Sequence, residues 1–357
     1  VRILLVSHPP LTPESGAAQV ALNLAAALTA RGHEAIAWSP EPLPSGTRWW
    51  NLWRRQTRAI ERFVASSGPF DAIDTPAITA SARLARAGRL IVRSIQPELL
   101  YLAAELRAQW RRPSGKVLAH SLYGGAVSLA ILGGWRRARV IVCQGSRELE
   151  WMRRRFPRWS AKLRCYAPAP SAAEQEALAV VRRERRGRRP PAPGAGIRFL
   201  WMGRWVTHKG TDRLAAFLRE RAASHPADTF TLAGCGPEAA RDCPPGLVES
   251  GRVRLLPSYA RATLPALLAE HDAGLFTSTI EGWGLSLNEM LESGLPVFAA
   301  DAGGVADLRP FFPRTLQPFP PPAGGGLPEP DDPQATGYYD RFRWTRIAQR
   351  YEEQALA

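Results

Sequence analysis

Short apolar runs alternate with helix-period segments along this chain, and they do so in two separate series. The first series opens with VRILLVS (1–7). A helical stretch from Gly16 to Arg31 follows, with Val20, Leu24 and Leu28 on one face and Gly32 as its stop. Then come EAIAW (34–38), FDAID (70–74), RLIVRS (89–94) and RVIVC (139–143), with helical patterns between them. This repetition predicts a parallel sheet covered on both faces, because each crossover helix must bury its apolar stripe against the strands. A second series holds IRFLWMG (197–203), TFTLAG (229–234), VRLL (253–256), AGLFTS (273–278) and LPVFAA (295–300). Between Ser171 and Gly196 lies a polar, Arg- and Pro-rich run with the composition of an exposed linker. The expected fold is α/β, with two Rossmann-like, doubly wound domains over 1–185 and 196–337. An amphipathic helix over 338–357, with Phe342, Ile347 and Tyr351 available for packing, closes the chain.

Charge narrows the partners. The formal net charge of +15 suits an acidic one: nucleic acid, an anionic membrane face or a phosphorylated ligand. Only Lys116, Lys162 and Lys209 are lysines among 47 basic residues, so a lysine inside a motif stands out. Cys143, Cys165, Cys235 and Cys243 lie too far apart for a CxxC pair and are too few for a disulfide framework. A reducing, cytoplasmic setting without structural zinc is expected. Val1–Val6 is too short for the core of a signal peptide, so no export is expected. The uncharged stretch Val117–Trp135 contains four glycines, a histidine, a tyrosine and two serines, which favours a buried helix over a membrane span.

Two segments can carry chemistry. GRWVTHKG, Gly203–Gly210, follows the first strand of the second series, where open α/β sheets bind ligands. Arg204 can fork two phosphate oxygens while Lys209 acts as a compact point charge, and a following helix would aim its amino end at the same place. The plainer alternative is two solvated cations on a loop. In TSTIEGWGLSLNEMLESGLPVFA, Thr277–Ala299, a strand runs through a Glu-Gly-Trp-Gly turn into a helix. With a helix start near Leu285, Glu281 lies on the preceding loop and Glu289 about one turn inside, so both carboxylates can face one cleft. Gly282 and Gly284 let backbone amides approach an anion closely. Either glutamate could instead be an ordinary surface or helix-end residue.

With both segments in view, the chain resembles the retaining glycosyltransferases of family 4. The likeness rests on the strand, Gly loop and helix ending RGHE (31–34), on Gly203-Arg204…Lys209-Gly210, on the Glu281-x7-Glu289 element and on FRWTRIAQRYEE (342–353). The resemblance implies the B-type fold: two Rossmann-like domains facing across a cleft, with the last helix crossing back to the first domain. It also implies transfer of a sugar from a nucleoside-diphosphate donor to a hydroxyl of a glycan or lipid-linked acceptor, as in polysaccharide biosynthesis. Arg204 and Lys209 would bind the diphosphate and stabilise the leaving nucleotide, and Glu281 would hold sugar hydroxyls near the anomeric carbon. Glu289 would accept from the ribose, Gly203, Gly282, Trp283, Gly284 and Leu285 would line the donor, and Gly16 would line the cleft from the other side. The family needs no metal or other cofactor and transfers with retention.

Departures accompany the matches. The first loop reads Ser15-Gly16-Ala17-Ala18 where the family commonly has a glycine pair. The loop after the fourth strand reads RSIQPE (93–98), without the usual sugar-contacting histidine; Gln96 is the substitute considered. Pro257–Tyr259 is the stretch considered for base contacts. RWWNLWRRQTRAIERF, Arg48–Phe63, mixes tryptophans with arginines and suits either an anionic bilayer surface or a helix packed on the sheet; Glu150–Trp159 could extend the same basic face. A cytoplasmic enzyme, peripheral on the inner membrane face, is one consequence. A nucleotide-sugar epimerase of the same fold and a non-catalytic basic nucleotide- or nucleic-acid-binding protein are the competitors. No recognised nucleic-acid-reading motif is present, and no nucleic acid partner is expected. SGAAQV is not a Walker loop and no GxGxxG follows the first strand, which counts against a dinucleotide oxidoreductase.

Overall fold

A computed structural model describes residues 1–12, 15–43, 48–111, 115, 117–187, 195–322 and 327–357. The chain forms two compact units, one of Val1–Ala169 together with Phe342–Ala357 and one of Pro170–Arg341.

In the first unit, β1 (Arg2–Val6), β2 (Glu34–Trp38), β3 (Ala72–Thr75), β4 (Arg89–Arg93), β5 (Val140–Gln144) and β6 (Leu163–Tyr166) form one parallel sheet in the order β2-β1-β3-β4-β5-β6. Ile3, Leu4, Leu5 and Val6 are all buried, as expected of a central strand covered by helices on both faces. Ser15 caps the Gly16–Thr29 helix by accepting from the Ala18 amide. β6, which the sequence pattern does not announce, pairs with β5 in the register Cys143↔Cys165. The stretch 117–135, expected to be buried, is a helix (Val117–Arg137) buried on one face only.

The closing helix belongs to the first unit. Expected as one helix over 338–357, the segment is a 3₁₀ turn at Tyr338–Asp340 in the second unit, then a helix Trp344–Tyr351 and a wider final turn Glu352–Leu356 in the first. The Trp344–Tyr351 helix packs on the Gly16–Thr29 helix. Trp344 Nε1 donates to the Ala169 carbonyl (3.0 Å), and Arg31 pairs with Glu352 (2.7 Å). The Tyr351 hydroxyl donates to Asp74 Oδ2 (2.5 Å), and Asp74 also receives the Arg93 Nε–H (3.0 Å) in the sheet interior.

The second unit has β7 (Arg198–Met202), β8 (Thr229–Ala233), β9 (Val253–Leu256), β10 (Ala273–Phe276), β11 (Val297–Ala299) and β12 (Leu316–Pro318), all parallel, in the order β12-β11-β10-β7-β8-β9. The direction of winding reverses between β7 and β10. A crevice therefore opens beyond the carboxyl ends of those two strands.

The boundary differs from the sequence expectation. Residues 170–185, placed with the first domain and read as the start of a linker, carry the helix Ala172–Arg186 of the second unit. A capping box of Ser171 and Glu174 starts this helix. Its arginines bond carbonyl groups instead of facing water: Arg182 donates to the Glu292 carbonyl, and Arg185 to those of Leu268 (2.7 Å) and His271 (2.8 Å).

Candidate active site

The loops after β7 and β10 are laced together at the switch point. The amides of Thr279 and Ile280 donate to the His208 carbonyl (2.8 and 3.2 Å), and Thr277 Oγ1 donates to the Lys209 carbonyl (2.8 Å). Gly210 has φ +72°, and a Cβ there would stand 2.0 Å from the Thr277 carbonyl oxygen, so only glycine lets the loops meet this closely.

This meeting brings Lys209 and Glu281, 72 residues apart, to 2.5 Å (Nζ to Oε2). Both side chains are mostly buried, and Ser278 Oγ donates to the same carboxylate oxygen (3.1 Å). The Arg204 side chain stands exposed on the same loop as Lys209. His208 between them is buried, and desolvation, helped by the Lys209 charge, lowers its pKa to about 4. It is neutral at pH 7, so the cations here are Lys209 and Arg204.

Gly203 follows β7, its amide bonded to the Ala233 carbonyl (2.9 Å). Gly282 and Trp283 are buried in the turn after Glu281, and Gly284, at φ +92°, precedes the Leu285–Glu292 helix. The first amides of a helix have no partners within it, which makes this end suited to an anion. Gly303 and Gly304 close over Trp283: the Gly304 amide donates to the Trp283 carbonyl (2.9 Å), and a Cβ on Gly304 would meet the indole at 2.7 Å. Asn288 and Glu292 anchor the helix through the Tyr338 hydroxyl, at 2.7 Å each. Gly203, Arg204, Lys209, Glu281, Gly282, Trp283, Gly284 and Leu285 thus gather at one switch point. Gly16 lies in the first unit as the first residue of its helix, and Gln96 lies in that unit beyond β4.

Glu289 is buried and has a partner that sequence reasoning missed. Arg261 Nη2 lies 2.8 Å from Glu289 Oε1 and 2.5 Å from Glu174 Oε1. Burial pushes the Glu289 carboxyl above its ordinary value, with Arg261 opposing. At Glu174 burial is again the largest single influence and acts upward, but the hydrogen bonds and charge of Arg261 together with the Ser171 hydrogen bonds hold that carboxyl below its ordinary value. Tyr259, in the stretch considered for base contacts, packs against Gly234, and burial together with the Glu289 charge pushes it up to about 12. Arg261 is hidden in the sequence because arginine makes up almost all of the basic residues. On the expectation that Glu289 receives a donor's ribose, Arg261→Ala should raise the KM for that donor by about ten- to a hundredfold with a smaller change in kcat, since it leaves Glu289 without the cation that orients it. Arg261→Lys should recover only part of this, having no fork. Steady-state kinetics over donor concentration separates the two constants, and an unchanged KM in the alanine variant would contradict the assignment.

Among the described residues, no group of three or more His, Cys, Asp or Glu side chains is arranged to hold a metal ion. On the Leu52–Ser66 helix, Ile60 and Val64 are buried, Trp53 and Phe63 pack on the core, and Phe63 stacks on Trp38 at 4.4 Å between centroids. Arg54, Arg58 and Arg62 remain outside, with Trp50 exposed beside Arg48. Of the Glu150–Trp159 stretch, Met152 and Trp159 are buried and Arg153–Arg155 are exposed.

Residues 196–310 match the family model described as glycosyl transferases, group 1. Over 165 residues the chain is 28% identical to an uncharacterized glycosyltransferase, YqgM, of Bacillus subtilis strain 168; the match covers 44% of this chain and 42% of that protein. The chain therefore spans less than half the length of this curated relative. Sucrose-phosphate synthase from Thermosynechococcus elongatus superposes with a TM-score of 0.64 at 16% identity, covering 99% of this chain and 94% of the other. Anabaena HepE, solved in complex with UDP and glucose, gives 0.60 at 17% identity, covering 100% and 99%. The catalytic domain of starch synthase IV from Arabidopsis thaliana, bound to ADP and acarbose, gives 0.59 at 14% identity, covering 99% and 97%. The likeness is one of fold, and the fold is the B-type, two-Rossmann one.

Proposed function

We propose that this chain, whose residues 196–310 match the group 1 glycosyl transferase model, moves a sugar from a nucleoside-diphosphate donor to a hydroxyl of a glycan or lipid-linked acceptor, with retention and without a metal. The observation that carries the reading is the Lys209–Glu281 pair at the β7/β10 switch point, beside Arg204 and the amino end of the Leu285–Glu292 helix. In this scheme Lys209 and Arg204 face the diphosphate, where negative charge grows as the bond from the anomeric carbon to the phosphate oxygen breaks. Glu281 holds a sugar hydroxyl and keeps Lys209 aimed. The acceptor oxygen bonds to the anomeric carbon on the face the phosphate leaves, and its proton passes to the departing phosphate oxygen. Glu289, oriented by Arg261, accepts from the ribose. The Gly282–Leu285 turn lines the donor.

UDP with glucose, and ADP with acarbose, are bound in two of the three solved proteins named above, which supports a nucleotide-sugar donor. On the same reading the enzyme works in the cytoplasm, peripherally on the inner membrane face, with Arg54, Arg58 and Arg62 drawn to anionic lipid. Thermal melting with UDP, GDP, ADP and dTDP at saturation tests the donor site. One of them should stabilise the protein by about 2.7 kcal/mol at 100 times its Kd, a shift of a few degrees. A flat response to all four would refute the reading, and conversion of the donor without any acceptor would favour an epimerase.

A further inference from the structure

The most exposed large apolar side chains among the described residues gather on one helical hairpin of the first unit. Leu118, Leu122 and Leu129 are 69%, 70% and 72% exposed, and Trp110 is 60% exposed. The three leucines lie on the Val117–Arg137 helix at a spacing of four and seven, which puts them on one face, with Gly125 and Ala126 exposed between them. Arg136, seven residues beyond Leu129, ends the stripe on the same face. Trp110 lies on the Glu98–Arg111 helix packed alongside, and its Nε1 donates to Ser121 Oγ (3.2 Å), which fixes the indole against the leucine-bearing helix.

The opposite face of the long helix is committed to the fold. Val117, Gly124, Val127, Ile131, Gly134 and Trp135 are buried. A Cβ on Gly134 would stand 2.1 Å from the Ala77 carbonyl oxygen, and one on Gly124 would stand 2.9 Å from the Leu106 side chain. The helix is long and apolar enough to cross a bilayer, but these close approaches hold it to its unit. It can lie along a bilayer surface on its leucine face and cannot leave the unit to span.

Charge selects the occupant. From Arg107 to Arg147 the sequence holds eight basic residues and no acidic one. A second copy of the chain would set this charge against itself across a two-fold interface. An anionic lipid surface offers phosphates at the margin of an apolar layer, which matches leucines bordered by Arg107, Trp110 and Arg136. We propose that this stripe is the bilayer-docking face of the protein: Leu118, Leu122 and Leu129 enter the acyl boundary of an anionic membrane, Trp110 sits at headgroup depth, and Arg107 and Arg136 take lipid phosphates. The proposal deepens the peripheral membrane placement given above and is independent of the donor reading.

Flotation of the full chain with vesicles of equal phosphatidylglycerol and phosphatidylcholine, and with phosphatidylcholine alone, tests it. The wild type should bind the anionic vesicles at low salt and not the neutral ones. Leu118→Ser/Leu122→Ser/Leu129→Ser should weaken that binding by roughly a hundredfold or more. Arg54→Ser/Arg58→Ser/Arg62→Ser should weaken it less than the leucine set does, since an arginine near the surface contributes about 1 kcal/mol and a leucine leaving the acyl layer about 1.5–3 kcal/mol. Both sets replace surface side chains, so unchanged melting temperatures without lipid serve as the control for folding. A leucine variant that binds like the wild type overturns the proposal, and binding then lost only in the arginine variant moves the contact to the Leu52–Ser66 helix. A wild type that binds no vesicle overturns both membrane statements and leaves the nucleotide melting experiment to judge the donor site. A dimer that the leucine variant dissociates also overturns the leucine proposal, for it would show a second copy on this face.

Discussion

Lys209→Ala is expected to lower kcat/KM for the nucleotide sugar by about a thousandfold, or roughly 4 kcal/mol of transition-state stabilisation. Lys209 sits where β7 and β10 part, its ammonium held at 2.5 Å by Glu281, which also receives the Ser278 hydroxyl. In the proposed scheme the pair holds an aimed point charge for a diphosphate that brings two or more negative charges. Arg204 alone cannot replace it, being on an exposed side chain that must be ordered at each turnover. The fold should survive, since the loops are joined mainly through the His208 and Lys209 carbonyls and Gly210, none of which the substitution removes. Melting without nucleotide should therefore stay within a few degrees of the wild type, while the shift produced by a nucleoside diphosphate disappears. Turnover within tenfold of the wild type would remove Lys209 from the chemistry.

The second large effect is on stability. Asp74→Ala should destabilise the first unit by about 3–5 kcal/mol, the usual consequence of leaving one partner of a buried ion pair alone. Asp74 and Arg93 are almost completely buried in the sheet. Arg93 Nε reaches both Asp74 oxygens (3.0 and 3.2 Å), and its Nη2 donates to the Val6 carbonyl (3.2 Å). Without Asp74 the guanidinium keeps one carbonyl and no counter-charge. Tyr351 would also lose its acceptor, so the closing helix should loosen with the sheet. Tyr351→Phe removes only the hydroxyl and should cost about 1 kcal/mol. Urea denaturation followed by circular dichroism compares the two. An Asp74→Ala variant no weaker than Tyr351→Phe would show that water or rearrangement solvates Arg93.

Most of the fold could be read from letters because the inner strands are unbroken apolar runs. β6 and β12 could not: each is an edge strand with one neighbour, and LRCY and LQP carry polar residues that dilute the signal. The Ala172–Arg186 helix escaped for another reason. Arginines suggested solvent there, but Arg182 and Arg185 are used as donors to buried carbonyls. In the candidate site, both loops were visible because each follows an apolar strand. The pairing of Lys209 with Glu281 depends on β10 lying next to β7, a fact of strand order that no local pattern contains. Arg261 depends on the same kind of information, since Glu174 and Glu289 meet it from two different helices.

The first unit is built from two stretches, Val1–Ala169 and Phe342–Ala357, with the second unit's residues inserted between them in the sequence. During synthesis the second unit can complete itself as soon as Arg341 has emerged. The first, although begun earlier, must wait with Asp74 and Arg93 short of their phenol, and with the Gly16–Thr29 helix uncovered, until Phe342–Ala357 arrive. The half made first is thus the half finished last, and the interval is when its apolar surface is most open to chaperones or to aggregation.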